Sequence, residues 1–259
     1  MSPPGNAGIE IADLVVHYGD VPAVNGVSFT VSQGEHVTLL GPSGCGKTTV
    51  LRLIAGLLAP EQGRVAFGGV DLTTQPTHQR VRAGLGITHQ IVRPFRSLSV
   101  IENVMIAAGR RHTRSPWRAL SRLTRAEERH RAVALLERVG LAEAAALRPM
   151  ALPLGGRKRL EVARALALEP RLLLLDEPMA GLNSGEAAAL GDLIVALNRA
   201  GITIVLVEHN LGEVMRIARR LLVLDAGRAI ADGPPRDVIR LPAVREAYIG
   251  ARTNDHAVA

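Results

Sequence analysis

The pattern of apolar and polar positions predicts strands and helices that alternate along the chain. From Ile9 to Val31 apolar and polar residues alternate and two turn pairs interrupt them, which is typical of antiparallel strands. Further on, short apolar runs of strand length alternate with helical stretches, so we expect a parallel sheet covered by helices on both faces. The predicted strands are His36–Leu40, Leu172–Leu175, Thr203–Val207 and Leu221–Leu224, and the predicted helices are Lys47 to about Gly56, Leu160–Leu168, Glu186–Arg199 and Leu211–Arg219.

Between these elements the pattern changes. The stretch from about Val100 to Ala146 consists mostly of Ala, Leu, Arg and Glu with few β-branched residues, and it predicts a helical subdomain inserted into the core. Asp71 to Gly84 is polar and predicts irregular structure or a short helix, whereas Thr253 to Ala259 predicts a frayed tail.

Composition indicates a folded protein of ordinary type. Apolar residues make up 47% and charged residues 21% of 259 residues, and no stretch approaches the roughly 18 apolar residues of a membrane helix. The first ten residues have no basic start and no apolar run, so we predict no signal peptide and a cytoplasmic location. One cysteine excludes an internal disulfide. The net charge of +7 is compatible with an anionic partner, such as nucleic acid or anionic lipid, or with an arginine-rich proteome. The basic stretch Arg110 to Arg131 lacks the interleaved aromatic residues that proteins binding single-stranded nucleic acid use.

A phosphate-binding loop follows the first predicted parallel strand. Residues Gly41 to Thr48 match G-x-x-x-x-G-K-[ST] in full and lie between a predicted strand and a predicted helix. Glycines let the backbone curl so that N–H groups surround a phosphate at the positive end of the helix. Lys47 places an ammonium on the β and γ phosphates, and Thr48 offers a hydroxyl to Mg²⁺. Cys45 has neighbours that favour a thiolate, or it is simply a small residue that fits.

Two later strands end in polar residues. Asp176 and Glu177 follow Leu172–Leu175, at the strand end where doubly wound sheets bind ligands. Asp176 suits a magnesium partner, and Glu177 suits a general base or a group that orients the attacking water. His209 ends a second strand in the same way, and Gln90 follows a shorter apolar run.

Together these segments carry a family resemblance. Taken in order, Tyr18, the phosphate loop, Gln90, Leu152–Gly156, Asp176–Glu177, Gly181–Asn183 and His209 resemble the ABC transporter ATPase domain over essentially the whole chain. The resemblance implies an α/β fold with a P-loop NTPase core, a parallel sheet, an N-terminal antiparallel β-subdomain and an inserted α-helical subdomain. We predict a single domain over 1–259, with the core at about 9–90 and 168–250, the helical subdomain at about 91–167 and a flexible tail at 251–259.

The resemblance also implies residue roles, with ATP and Mg²⁺ as cofactors. The implied ATP-binding residues are Tyr18, which stacks on adenine, and Gly41, Pro42, Ser43, Gly44, Cys45, Gly46, Lys47, Thr48, Thr49 and Gln90. The implied metal ligands are Thr48, Gln90 and Asp176, and the implied catalytic residues are Lys47, Glu177 and His209. In that family two ATPase domains close head to tail, and the signature of one caps the ATP of the other. The implied signature residues are Pro153, Leu154, Gly155 and Gly156.

The signature departs from the family pattern. Pro153 stands where the family usually has serine, Leu154 where a glycine follows, and Gly156 where glutamine is usual. The importer group tolerates the first two changes, whereas glycine for glutamine is less expected. This departure puts the competence of the signature in doubt, though not nucleotide binding.

A narrower resemblance concerns the cargo. Arg159–Ala165, Val207–Asn210 and the ending Pro242–Gly250 are similar to the branched-chain amino-acid importer ATPases. Import of other amino acids, urea or amides, and export of lipopolysaccharide, are the alternatives, although lipopolysaccharide-export ATPases lack the insert around Ser115 to Arg131. The sequence alone does not name the cargo.

The predicted partners follow from the resemblance. They are membrane permease subunits that bind the region around Gln90 to Ile106, a second ATPase subunit in a homodimer or heterodimer, and, indirectly, a substrate-binding protein. The predicted location is the cytoplasmic face of the membrane. A soluble ABC ATPase that acts on DNA or ribosomes is the competing hypothesis. Such proteins usually have two ATPase domains in one chain or a long coiled coil, and this sequence has neither. The apolar residues between Gln90 and Ile106 also favour a protein partner over nucleic acid. A third hypothesis, a small-molecule kinase, requires a binding site for the phosphate acceptor, and we find no such site in the sequence.

Overall fold

The computed structural model describes residues 7–88, 94–109 and 122–254 of the chain. The described strands are β1 (Ala7–Tyr18), β2 (Val21–Ser32), β3 (His36–Leu40), β4 (Gln62–Phe67), β5 (Val70–Asp71), β6 (Leu85–Ile87), β7 (Leu172–Asp176), β8 (Thr203–Val207), β9 (Arg220–Asp225) and β10 (Arg228–Gly233). The described helices are α1 (Lys47–Ala55), α2 (Thr77–Arg82), α3 (Val100–Gly109), α4 (Arg122–Arg138), α5 (Leu154–Leu166), α6 (Ser184–Arg199), α7 (Leu211–Ile217), α8 (Pro235–Val238) and α9 (Pro242–Asn254), with a 3₁₀ turn at Pro149–Ala151.

The strands form two sheets. The antiparallel sheet has the order β2-β1-β4-β5, and the larger sheet has the order β10-β9-β3-β8-β7-β6. In the larger sheet all neighbours are parallel except β9 and β10. Because β3, β6, β7 and β8 run in one direction, their carboxyl ends meet at one edge, where Asp176 pairs with Val207. The fold class predicted from the sequence is confirmed.

Side chains of the central strands alternate between two apolar cores. Leu172 and Leu174 pack with the antiparallel sheet and α1, whereas Leu173 and Leu175 pack with the helices of the other face. A strand buried on both faces needs the continuous apolar run that the sequence shows at β7. The sheet edge that collects the polar strand ends is therefore supported from both sides.

Some helix boundaries differ from the prediction. Helix α5 begins at Leu154, six residues before the predicted start at Leu160, and Gly155 lets this first turn pack closely against Glu186. The stretch predicted as helical up to Ala146 ends its helix at Arg138, and residues 139–146 form turns. Helix α9 reaches Asn254, so it includes the start of the predicted tail. None of the helices in the described ranges is long and apolar enough to cross a membrane.

Candidate active site

The loop between β3 and α1 has a shape that only glycine allows at two positions. Gly41 has φ 149° and Gly46 has φ 104°, conformations that other residues rarely adopt. A Cβ at Gly41 would lie 2.1 Å from the Leu224 carbonyl oxygen, and one at Gly46 would lie 2.4 Å from that of Ala23. The loop is thus held tightly between β9 and β2. Within it, Ser43 and Gly44 are exposed at the rim.

Two side chains at the start of α1 connect this loop to its surroundings. Lys47 is 7% exposed, and its ammonium donates to the carbonyl oxygens of Gly41 at 2.7 Å and Pro42 at 2.8 Å. The Thr48 hydroxyl of α1 donates to Oδ1 of Asp176, the last residue of β7, at 3.2 Å. The structure therefore brings the predicted phosphate-binding and metal-binding residues of distant segments together. Thr49, the next residue of α1, is half-buried.

Glu177 and His209 meet at the carboxyl edge of the sheet. Glu177 directly follows β7, and its N–H donates to the Val207 carbonyl oxygen at 3.0 Å. Its side chain is 19% exposed, and Oε2 lies 3.7 Å from Nδ1 of His209, whose side chain is 59% exposed. Glu177 has φ 44°, in the left-handed region that a non-glycine residue enters at a cost. A carboxylate held in this way, beside an imidazole, can accept a proton from a water molecule.

A second carboxylate, that of Glu208, is buried next to Glu177 and His209. Glu208 is completely buried and accepts hydrogen bonds from the N–H groups of Met179 at 2.8 Å and His209 at 3.3 Å. Burial raises the pKa of the Glu208 carboxyl, which those two hydrogen bonds oppose. Glu208 thereby ties the segment after β7 to the end of β8. Glu208 was not predicted from the sequence, although its position directly after the apolar run of β8 was the signal for it.

The four signature residues begin helix α5. Pro153 is its N-cap and makes no capping bond with its side chain, and Leu154 is the first helical residue. A Cβ at Gly155 would lie 2.8 Å from Glu186 Oε1, and one at Gly181 would lie 3.2 Å from Leu154. The start of α5 therefore packs against the Gly181–Asn183 loop and the start of α6.

Three other predicted residues have different outcomes. Cys45 is 3% exposed, and burial raises the pKa of its thiol more than Lys47 lowers it, so of the two alternatives a small residue that fits is favoured over a thiolate. Tyr18 is 53% exposed at the end of β1, on the hairpin whose Ala23 contacts the phosphate loop. Gln90 lies outside the described residues, which end at Thr88 on this side of the gap.

Comparison with known proteins identifies the family. Residues 24–180 match the family model described as ABC transporter. The chain belongs to the ABC transporter family. Within it, the chain is 37% identical over 248 residues to the high-affinity branched-chain amino acid transport ATP-binding protein LivG of Salmonella typhimurium, covering 93% of this chain and 97% of LivG. It is 34% identical to the lipopolysaccharide export system ATP-binding protein LptB of Haemophilus influenzae, covering 92% and 95%.

The fold comparison agrees with this assignment. The crystal structure of a nucleotide-free ATP-binding cassette from an ABC transporter superposes with a TM-score of 0.83 at 28% identity, covering 94% of this chain and 99% of the other. As an ABC ATPase, the chain is an enzyme that binds and hydrolyses ATP, and the predicted activity is confirmed.

Lys158 is a second residue of this ABC ATPase's site, after Glu208, that was not predicted from the sequence. Lys158 on α5 is 5% exposed, and its ammonium donates to the Glu177 carbonyl oxygen at 3.3 Å. It shares a helix face with the buried residues Gly155 and Val162, three positions before it and four after it. Gly155 and Val162 lie at equivalent spacings from Arg159, four positions before it and three after it, so no local signal separates Lys158 from that arginine.

Proposed function

We propose that this chain is the ATPase subunit of an importer for branched-chain or other amino acids. The observation that carries the proposal is the contact of Thr48 with Asp176, which places the phosphate loop beside the carboxylates Asp176 and Glu177. Likeness to LivG over nearly the full length of both chains supports the class of cargo. LptB is only slightly less similar, so export of lipopolysaccharide stays the second candidate.

The residues present fit a magnesium nucleotide. Thr48 and Asp176 offer a hydroxyl and a carboxylate oxygen 3.2 Å apart, which are the hard oxygen ligands that Mg²⁺ prefers, and Gln90 is the third proposed ligand. Lys47 and the loop from Gly41 to Thr49 hold the phosphates, while the Tyr18 ring stacks on the adenine. Bound magnesium neutralises developing charge on the phosphates.

Glu177 and His209 do the proton chemistry in this proposal. Glu177 orients the attacking water and takes up its proton, because its carboxylate stands at the strand end next to the proposed metal ligand Asp176. His209, with Nδ1 at 3.7 Å, holds that carboxylate in place and contacts the terminal phosphate. Pro153 to Gly156 contact the nucleotide of a second ATPase subunit.

The permease partner is proposed to dock beside α3. Phe95, Ile106, Leu147 and Met150 are large apolar residues that are each 46–50% exposed. The segments that carry them are joined, because the Val100 N–H donates to the Leu147 carbonyl oxygen at 2.8 Å. An exposed apolar surface of this kind suits a protein partner better than nucleic acid.

Two variants test the catalytic assignment. Glu177→Gln keeps the shape but loses the basic carboxylate, so it should bind ATP and dimerise while its turnover falls about 10²-fold or more. Lys47→Ala should instead lose nucleotide binding. Binding is measured with a fluorescent ATP analogue and turnover by phosphate release. Wild-type turnover of Glu177→Gln would refute the assignment, and the cargo is tested by ATP-dependent leucine uptake into vesicles that contain the cognate permease.

A further inference from the structure

Lys158 is a buried cation placed against the backbone of the proposed catalytic residue. Lys158 is 5% exposed, and its ammonium donates to the Glu177 carbonyl oxygen at 3.3 Å. Burial lowers the pKa of Lys158, while the carboxylates of Glu161, Glu208, Glu177 and Asp176 oppose that shift. These carboxylates favour the charged form of the ammonium, and the helix that carries Lys158 limits where the ammonium can lie.

The Glu177 backbone needs such support. Its φ of 44° belongs to the left-handed region, which is unfavourable for a residue with a Cβ. Three hydrogen bonds hold the residue there. The Glu177 N–H donates to Val207 at 3.0 Å, and the Glu177 carbonyl oxygen accepts from Ala180 N–H at 3.2 Å as well as from Lys158. Rotation of this peptide would turn the carboxylate away from His209, so these bonds set its direction.

Lys158 lies one helical turn from the signature. Helix α5 begins at Leu154, and four residues of helix span about 6 Å. Under the proposed function, on which this inference rests, Glu177 acts on the nucleotide of its own subunit, whereas the start of α5 contacts the nucleotide of the other subunit. A single side chain therefore joins the helix that contacts one nucleotide to the residue that acts on the other.

We propose that Lys158 is a positioning residue that couples the signature helix to Glu177 within one subunit. When the partner's nucleotide draws the start of α5 into place, Lys158 moves with the helix and fixes the Glu177 peptide in its left-handed conformation. A subunit whose signature is not engaged then holds its own Glu177 less well. Hydrolysis in one site thereby depends on occupancy of the other.

The first test compares two neighbouring cations on α5. Lys158→Met removes the charge and the donor but fills the buried space, whereas Arg159→Met removes an equal charge from a side chain that donates to Gly140 at 3.3 Å. We expect kcat of Lys158→Met to fall at least about tenfold, because a hydrogen bond from a charged group is lost. The Kd for fluorescent ATP and the KM should stay within about twofold of wild type if binding is untouched. Arg159→Met should retain kcat, and Lys158→Arg should recover most of the loss.

Hydrogen exchange of backbone amides tests the contact between Lys158 and Glu177 without a measurement of turnover. In the nucleotide-free protein, residues 176–183 should exchange faster in Lys158→Met than in wild type, and Arg159→Met should match wild type. An unchanged exchange rate in this segment would show that Lys158 does not hold the Glu177 peptide. A proportional rise of KM and Kd with a lower melting temperature would indicate a merely structural role and would overturn the proposal.

Mixed dimers distinguish action within a subunit from action across the interface. With Lys158→Met in one copy and Glu177→Gln in the other, the remaining carboxylate belongs to the copy without Lys158, so turnover should be nearly lost. With both substitutions in the same copy, the other copy keeps both residues and its site should stay active. The reverse pattern would mean that Lys158 acts on the partner's nucleotide. Full turnover of Glu177→Gln refutes the proposed function, whereas an inactive Glu177→Gln beside a normal Lys158→Met refutes only the role of Lys158.

Discussion

Pro153→Ser tests whether the unusual signature limits turnover. Proline has neither a hydroxyl nor a backbone N–H, so Pro153 offers no donor at the start of α5, where the first three N–H groups of the helix are the remaining donors. Serine would restore the hydroxyl that the family usually has there. We expect the protein alone to hydrolyse ATP slowly and the Pro153→Ser variant to be faster.

Pro153→Ser should change turnover strongly and the free energy of unfolding only slightly. Serine at the N-cap stabilises a helix by about 1 kcal/mol, but loss of proline frees the unfolded chain and costs about 0.4–1 kcal/mol. The free energy of unfolding should therefore change by less than about 1 kcal/mol. A hydrogen bond to a charged phosphate contributes about 1.5–3 kcal/mol, which corresponds to tenfold or more in turnover.

The assay is steady-state phosphate release, with urea unfolding in parallel. Pro153→Ala is the matched control, since it removes the proline and adds an N–H without a hydroxyl. Adding Gly156→Gln brings a Cβ to 3.2 Å from that of Leu152, so that side chain must shift slightly. If the chain works in a heterodimer, a paralogue with a complete signature should also raise turnover on mixing. Equal turnover of wild type, Pro153→Ser and the mixture would show that the backbone donors suffice.

Three further predictions concern stability and reactivity. Arg80 is buried and donates at 2.7 Å to the carbonyl oxygens of both Leu53 and Ile54, so Arg80→Met should lower the free energy of unfolding in urea by about 3 kcal/mol; a loss below about 1 kcal/mol would contradict this. Burial lowers the pKa of His36 to about 4 from 6.5, so between these values the unfolded chain binds more protons and stability falls as pH drops, by up to ~1.4 kcal/mol per unit. His36→Gln should remove that slope, and an unchanged slope would assign it elsewhere. Maleimide should label Cys45 slowly in the native protein and rapidly in urea, and equal rates would show an accessible thiol.

Local chemistry made much of the site predictable. The phosphate loop needs glycines at Gly41 and Gly46 and a lysine at a fixed distance along the chain, so a contiguous segment carries the whole signal. Asp176 and Glu177 were predictable for the same reason, since an apolar run of strand length leads directly into them. Each of these features depends on residues that are adjacent in the chain, so it can be recognised from the sequence.

The signature helix shows where local signals fail. Pro153, Gly155 and Gly156 have low helix propensity, so the sequence predicted a later start. In the folded chain Gly155 lets α5 lie against Glu186, where a Cβ would not fit, and Gly181 lets the neighbouring loop lie close to Leu154. Tertiary packing therefore outweighs propensity and places the first turn of the helix at the signature.

The sequence by itself determined the fold class, the phosphate loop and the carboxylates at the end of β7, because each depends on a periodic or contiguous pattern. Only the tertiary structure decided which distant residues meet. Pairing of β7 with β8 places Glu177 beside His209, and burial separates Lys158 from the chemically similar Arg159. Burial in the tertiary structure also raises the pKa of the Cys45 thiol in spite of its cationic neighbour Lys47. Desolvation depends on what surrounds a group in space, and neighbours along the chain do not reveal it.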